Sequence, residues 1–205
     1  MEYKTIQNES IYEETEKRSK FISYSFKVFT SEEAQRKLKE VKSIHKTAKH
    51  WVYAYIVNEG QEEKYCDDGE PSGTAGMPTM GAIKSLELQK VMVVTVRYFG
   101  GILLGTAGLR KMYASTALGV LERSGIVEMK KVSEVSVVCS YNHYGKITKI
   151  LSEFESKIKK LEYGSEVSFT FLVNQKFKDA VVAKIVDILR NDSGIKVLSD
   201  TFASI

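Results

Sequence analysis

Two stretches of the chain gather residue types that could do chemistry. The first is Cys66-Asp67-Asp68-Gly69-Glu70-Pro71-Ser72-Gly73-Thr74-Ala75-Gly76. Its three carboxylates, Asp67, Asp68 and Glu70, repel one another unless something offsets them. With a phosphate as a further ligand, such a set could hold Mg²⁺, or one carboxylate could act as a base. Asp-Asp-Gly-Glu lacks the spacing of an EF-hand loop, and Ser72 does not sit in a G-x-S-x-G elbow. Two readings stand side by side. One is a solvated acidic run. The other is a structured functional loop in which Ser72 and Thr74 also contact a ligand.

The second stretch is Arg97-Tyr98-Phe99-Gly100-Gly101-Ile102-Leu103-Leu104-Gly105-Thr106-Ala107-Gly108-Leu109-Arg110-Lys111. It leads from an apolar strand through glycines into a helix, which aims backbone N–H groups and a positive dipole end at whatever precedes the helix. A phosphate suits that place, with Arg97, Arg110 and Lys111 adding charge and Tyr98, Gly100, Gly101, Gly105 and Gly108 shaping the turn. The glycine spacing is neither G-x-G-x-x-G nor a Walker A loop. Equally, the glycines could serve only a close approach of helix and strand.

Other constellations are thin. His45, His50 and His143 with Cys66 and Cys139 have no zinc spacing. His50 precedes a strand and could join the acidic loop; a thiolate pair with Cys66 is the minority reading. No cofactor is expected, and Mg²⁺ enters only if the acidic loop is catalytic.

The positioning elements follow from period. Phe21, Tyr24, Phe26 and Val28 alternate with polar residues, which predicts a strand over 19–28. Thr30 and Glu33 form a capping box ahead of Ala34, Leu38, Val41 and Ile44, which predicts a helix over 31–45. A strand over 51–57 ends in a turn at 58–60, and residues 91–96 form an apolar run suited to a strand buried on both faces. Leu109, Met112, Tyr113, Thr116, Ala117, Val120 and Leu121 trace one helical face that Gly125 stops. From 132 onward the order is strand 132–141, helix 144–154, strands 158–163 and 167–173, helix 177–189 and strand 195–198. That βαββαβ order is the ferredoxin-like motif. A boundary at Lys130-Lys131 gives domains 1–131 and 132–205. Phe169 and Phe171 alternate as base-stacking aromatics would, and a core role fits them equally.

Composition narrows the classes. The 205 residues are 43% hydrophobic and 27% charged, with two prolines, which excludes a disordered or collagen-like chain. No apolar run reaches membrane-spanning length and the first residues do not read as a secretory signal, so a cytosolic protein that meets no membrane is expected. The two cysteines form no disulfide framework. The net charge of +4 hides a patchwork: −4 over 1–16, +7 over 17–49, −5 over 59–70, +4 over 97–131 and +1 over 132–205. Arg36, Lys37, Lys39 and Lys42 lie off the apolar stripe of the 31–45 helix, and Lys46 and Lys49 continue them. Such a face is either solvated or a polyanion surface.

These residues carry a family resemblance. Lys17-Arg18-Ser19-Lys20-Phe21-Ile22, Ala48-x-His50, the loop 67–76, Arg97-Tyr98-Phe99-Gly100-Gly101 and Leu104-Gly105-x-x-Gly108-Leu109 resemble the motifs of the YigZ/IMPACT family, over about residues 17–125. The resemblance implies an α+β chain, with an amino-terminal domain like the second domain of ribosomal protein S5 and a ferredoxin-like tail. That pair looks like the last two domains of the translocating elongation factor G, and by fold analogy it implies contact with ribosomes or structured RNA. Eukaryotic relatives are implicated in translational control under amino-acid starvation. Where family patterns often place a second glycine after Gly105, this chain has Thr106-Ala107.

Three functions result. The first is a non-enzymatic RNA- or ribosome-associated protein in translation or its regulation, with Arg97, Arg110, Lys111 and the 36–49 bases meeting phosphates. The second is an enzyme acting on a phosphorylated small molecule through the loops at 67–76 and 97–108. The third is a protein-interaction scaffold. Geometry discriminates: an open cleft between the loops, with His50, makes a site, whereas carboxylates paired with arginines close it.

Overall fold

The apolar run at 91–96 becomes the middle of a five-stranded sheet. The computed structural model describes residues 2–190 and 194–205, without the side chain of Glu59. It divides into two compact units, Tyr3–Val127 on the one hand and Glu2 with Glu128–Ile205 on the other.

The first unit contains β1 (Tyr3–Ile6), β2 (Ser10–Glu16), β3 (Ser19–Lys27), α1 (Ser31–Ile44), β4 (His50–Val57) and β5 (Glu62–Cys66). Then come α2 (Gly76–Ser85), β6 (Val91–Tyr98) and α3 (Gly105–Arg123). The sheet runs β2–β3–β6–β4–β5, and every neighbouring pair is antiparallel. Helices cover both faces, so β6 is buried on both. Met92, Val94 and Val96 pack with Ala34, Leu38 and Val41 of α1. Val91 and Val93 point the other way, onto Met80 and Ile83 of α2 and Ala117, Val120 and Leu121 of α3. Each such side chain contributes about 1.5–3 kcal/mol when fully buried. The alternation thereby locks the register, because a one-residue slip would turn every side chain to the wrong layer.

The caps match the sequence. Thr30 Oγ1 accepts the Glu33 N–H at 3.3 Å, while the Glu33 carboxylate reaches back to the N–H of Phe29, one residue before the cap, at 2.8 Å. Gly125 follows α3 at φ 68°, a left-handed conformation that favours glycine. Four elements go beyond the spacing analysis: β1, β2, β5 and α2. The first 16 residues are acidic and β2 is an edge strand with only alternate residues half-buried, so its pattern is faint. α2 contains Gly76, Pro78 and Gly81, poor helix formers whose helix depends on a distant cap described below.

The second unit holds most of β7 (Ile126–Cys139), then α4 (Tyr141–Ser152), β8 (Ser156–Tyr163), β9 (Val167–Asn174), α5 (Lys178–Leu189) and β10 (Ile195–Ala203). The expected boundary at Lys130-Lys131 falls inside β7, a single strand. Its strands lie in the order β10–β7–β9–β8, all antiparallel, the ferredoxin-like arrangement. Ile147 and Leu151 of α4 and Val181 and Ile185 of α5 bury against Val135, Val137, Phe169, Phe171 and Val173. Phe169 and Phe171 are thus core residues. Among the described residues, no helix is long and apolar enough to cross a membrane.

Candidate functional site

The acidic loop begins where β5 ends, and its first carboxylate is a helix cap. Asp67 Oδ1 accepts the N–H groups of Ala75 at 3.0 Å and Gly76 at 2.8 Å, and Oδ2 accepts that of Gly73 at 2.9 Å. A helix start exposes unpaired N–H groups and a positive dipole end, and Asp67 answers both for α2. Thr74 closes the same turn: its hydroxyl and its N–H both donate to the Pro71 carbonyl, at 2.6 and 3.0 Å. Ser72 is exposed.

Asp68 sits at φ 44° beside Gly69 at φ 87°, a reversal that turns its side chain back to β4. Its Oδ2 accepts the Trp51 N–H at 2.8 Å, and Lys42 Nζ lies 3.8 Å from Oδ1. The Asp68 carbonyl takes His50 Nδ1 at 2.9 Å. A carbonyl only accepts, so Nδ1 carries a proton and Nε2 is left for any other partner. The Cys66 thiol sulfur accepts the Asp68 N–H at 3.3 Å.

Glu70 turns inward and meets the second stretch. It is 8% exposed and Arg97, at the end of β6, is 6% exposed. Arg97 Nη1 donates to both Glu70 oxygens, at 2.8 and 2.9 Å, and the Tyr113 hydroxyl of α3 donates to Oε1 at 2.8 Å. The guanidinium lies 5.5 Å from the ring centres of Phe21 and Phe99. Burial, and then the Glu70 charge, pushes the Tyr113 phenol far above its ordinary range, so it remains a donor. Arg97 Nε is buried with no hydrogen-bond partner among the described residues. Removing one member of such a pair strands a buried charge, at a cost of about 3–5 kcal/mol.

Past Arg97 the chain behaves differently. The Tyr98 hydroxyl lies 2.9 Å from His45 Nδ1, and the Tyr24 hydroxyl 2.5 Å from Nε2. Gly100 presses on the β2–β3 hairpin, where a Cβ would stand 2.0 Å from the Arg18 carbonyl carbon; its N–H donates to Ser19 Oγ at 3.1 Å. Gly101 and Gly105 have φ 85° and 72°, and a Cβ at either would meet open space. Their role is conformational. The close approach expected of the glycines occurs at Gly100, against a hairpin and not against a helix. Gly108 faces Leu104, whose Cβ would be 3.1 Å from an added Cβ. Arg110 and Lys111 are exposed, with no ion pair among the described residues.

The two loops therefore meet, and the carboxylates are paired within the meeting point. Glu70 joins Arg97, Asp67 holds α2, and His50 is tied to Asp68. Among the described residues, no cluster of three or more His, Cys, Asp or Glu is placed to hold a metal ion. Spacing placed Tyr113 on an apolar stripe and missed its bond to Glu70. The available signal was a polar-tipped aromatic within that stripe. His45, passed over for lack of zinc spacing, joins Tyr24 to Tyr98.

Comparison with known proteins places this architecture. The Impact N-terminal domain model matches residues 17–121, and the domain of unknown function DUF1949 matches residues 137–191. IMPACT family member YvyE of Bacillus subtilis is 33% identical over 195 residues, covering 95% of this chain and 90% of that protein. The chain belongs to the IMPACT family. IMPACT family member YigZ of Escherichia coli is 29% identical over 177 residues, 85% of this chain and 87% of the relative. A crystal structure described as that of an hypothetical protein superposes with a TM-score of 0.62 at 26% identity, covering 100% of this chain and 97% of that one. The Impact match contains both loops, and the DUF1949 match lies in the ferredoxin-like unit.

Proposed function

We propose that this is a non-enzymatic, cytosolic, RNA- or ribosome-associated protein that acts in translation or its regulation. One observation carries the reading: the carboxylates of the acidic loop are used internally, while cations on α1, after it and on α3 face solvent unpaired. Arg36 and Lys39 of α1, Lys46 and Lys49 after it, and Arg110 and Lys111 of α3 are exposed and have no ion pair among the described residues. Lys37 and Lys42 of the same basic segment are partly engaged, by Glu9 and Glu40 and by Asp68. Arg97, which the sequence offered to a phosphate, is turned to Glu70 instead. Free cations on the helices covering both faces of the sheet favour phosphate contact, with release of condensed counterions. Family membership supports the translational setting, as does the likeness the sequence suggested to ribosomal protein S5 and elongation factor G. The core position of Phe169 and Phe171 removes base stacking on the ferredoxin-like sheet as the route.

The enzymatic alternative requires Asp67 or Asp68 to ligate Mg²⁺ or act as a base. Asp67 already accepts three backbone N–H groups and Asp68 Oδ2 accepts that of Trp51. Among the described residues this leaves Asp68 Oδ1, 3.8 Å from Lys42 Nζ, as the one oxygen of the two carboxylates without a hydrogen bond and gives that reading little to build on.

The test is fluorescence anisotropy on a labelled structured RNA, with ribosome co-sedimentation, across a salt series. Affinity is expected to fall steeply with salt, and Arg110→Ala with Lys111→Ala should flatten the slope by about 0.7–0.9 per lost contact. Absence of both RNA and ribosome association, or binding indifferent to salt, overturns the proposal.

A further inference from the structure

The segment from Phe99 to the start of α3 displays apolar side chains that the fold leaves uncovered. Leu103 is 81% exposed, Phe99 53% and Ile102 43%. Three large apolar side chains within five residues are more than the scattered surface hydrophobics of an ordinary protein. The loop is held at both ends. Gly100 is fixed against the Arg18 backbone and Ser19, and Leu104 packs with Leu109, Met112 and Tyr113. Gly101 just after the first anchor and Gly105 just after the second both take positive φ, 85° and 72°, which lets the chain change direction at each. Side chains presented from anchored backbone lose little further freedom on binding, as a preformed docking surface requires.

The surroundings set the partner's charge. Lys17 and Arg18 form the two-residue turn of the β2–β3 hairpin, both at positive φ, and the Arg18 backbone touches Gly100. Arg110 and Lys111 follow within the first turns of α3. All four are exposed and none has an ion pair among the described residues. Of the acids nearby, Glu70 is buried and neutralised by Arg97, Glu14 accepts from Ser115 of α3, and exposed Glu16 beside Lys17 is one against the four cations. The result is an apolar crown with a cationic rim.

We propose that this crown docks a protein segment that presents Leu, Ile or Phe anchors among Asp and Glu residues. Aliphatic Leu103 and Ile102 gain from burial against apolar side chains and gain nothing from phosphates. Phe99, the one member able to stack on a base, has the Arg97 guanidinium 5.5 Å from its ring centre. The four rim cations complement carboxylates, which steers such a segment and rejects basic ones.

The probe is a displayed random-peptide library selected on the immobilised full chain, followed by anisotropy on the enriched peptides. Enriched sequences should combine acidic and large apolar residues. Leu103→Ser should weaken them about tenfold or more, as expected for loss of one well-buried aliphatic anchor. Arg18→Glu with Arg110→Glu should weaken them as well, and all variants should keep the wild-type melting temperature. RNA affinity should be unchanged in Leu103→Ser, which separates this surface from the RNA reading. The inference is overturned by failure to enrich any peptide, by enrichment of basic peptides, or by binding indifferent to Leu103→Ser and Ile102→Ser. It is equally overturned if Leu103→Ser abolishes RNA binding, or if its main effect is to stop flotation with phosphatidylcholine–phosphatidylglycerol vesicles.

Discussion

The loops at 67–76 and 97–108 lie against each other and spend their polar groups in opposite ways. In the acidic loop Asp67, Asp68 and Glu70 all accept hydrogen bonds from the protein, and two glycines at positive φ give the backbone the curvature that lets them do so. In the glycine loop Arg97, the Tyr98 hydroxyl and the Gly100 N–H are spent, while Phe99, Ile102 and Leu103 face outward, as do Arg110 and Lys111 just beyond it on α3. Density of charge in a sequence is thus a poor guide to where a ligand binds. A cluster of carboxylates is costly unless satisfied, and here the fold itself satisfies it. The less charged loop is the one left available.

The largest effect that could break this contrast is Glu70→Ala. It leaves Arg97 buried without its partner and should lower the unfolding free energy by about 3–5 kcal/mol, read from urea denaturation. The triple replacement Glu70→Leu, Arg97→Met and Tyr113→Phe should recover most of that loss, since apolar substitutes for a buried pair are often neutral and the Tyr113 hydroxyl would otherwise be left unpaired. A Glu70→Ala variant as stable as wild type would mean that the pair is not what closes the loop.

Next is Asp67→Ala, which takes the acceptor from three N–H groups. A loss of about 1–3 kcal/mol is expected. Hydrogen exchange should accelerate at the amides of Gly73, Ala75 and Gly76 ahead of the rest of α2, and unchanged protection there would contradict the capping role.

A smaller effect concerns pH. Burial, and secondarily the Lys20 charge, holds the His45 imidazole below its ordinary pKa, between the Tyr24 and Tyr98 hydroxyls. The unfolded chain then binds this proton more readily than the folded one. Its contribution to stability is complete above the unfolded value of about 6.5 and is lost as pH falls below it toward the folded value. Denaturation midpoints should drop across that window in wild type and less so in His45→Gln. Parallel profiles would exclude His45 as the cause.

Smallest in stability terms are Arg110→Ala and Lys111→Ala, which should change unfolding by no more than about 0.5 kcal/mol. They belong to the open side of the comparison, so a large destabilisation would place them inside it.

Much of the fold was legible because its elements carry their own period. The β6 run, the stripes of α1 and α3, the Gly125 stop and the whole βαββαβ tail can be read from local spacing. α2 could not, since its cap, Asp67, lies nine residues before Gly76 and its own residues favour turns. β5 hides behind Glu62, Glu63 and Lys64, which an edge strand can carry into solvent. The site was legible as two loops and not as a pairing. Glu70 and Arg97 are 27 positions apart, and only the β3–β6–β4 sheet and the turn at Asp68 bring them into register. Arg97 beside glycines looks like a phosphate ligand until its partner is seen.

The most direct measurement of this division of labour is RNA affinity against salt for three proteins in parallel. They are wild type, Asp68→Asn, and the combined Arg36→Ala, Lys39→Ala, Arg110→Ala and Lys111→Ala variant. The account predicts a steep slope for wild type, the same slope for Asp68→Asn, and a clearly flattened one for the combined variant. An unchanged slope in the combined variant, or a loss of binding confined to Asp68→Asn, would contradict it.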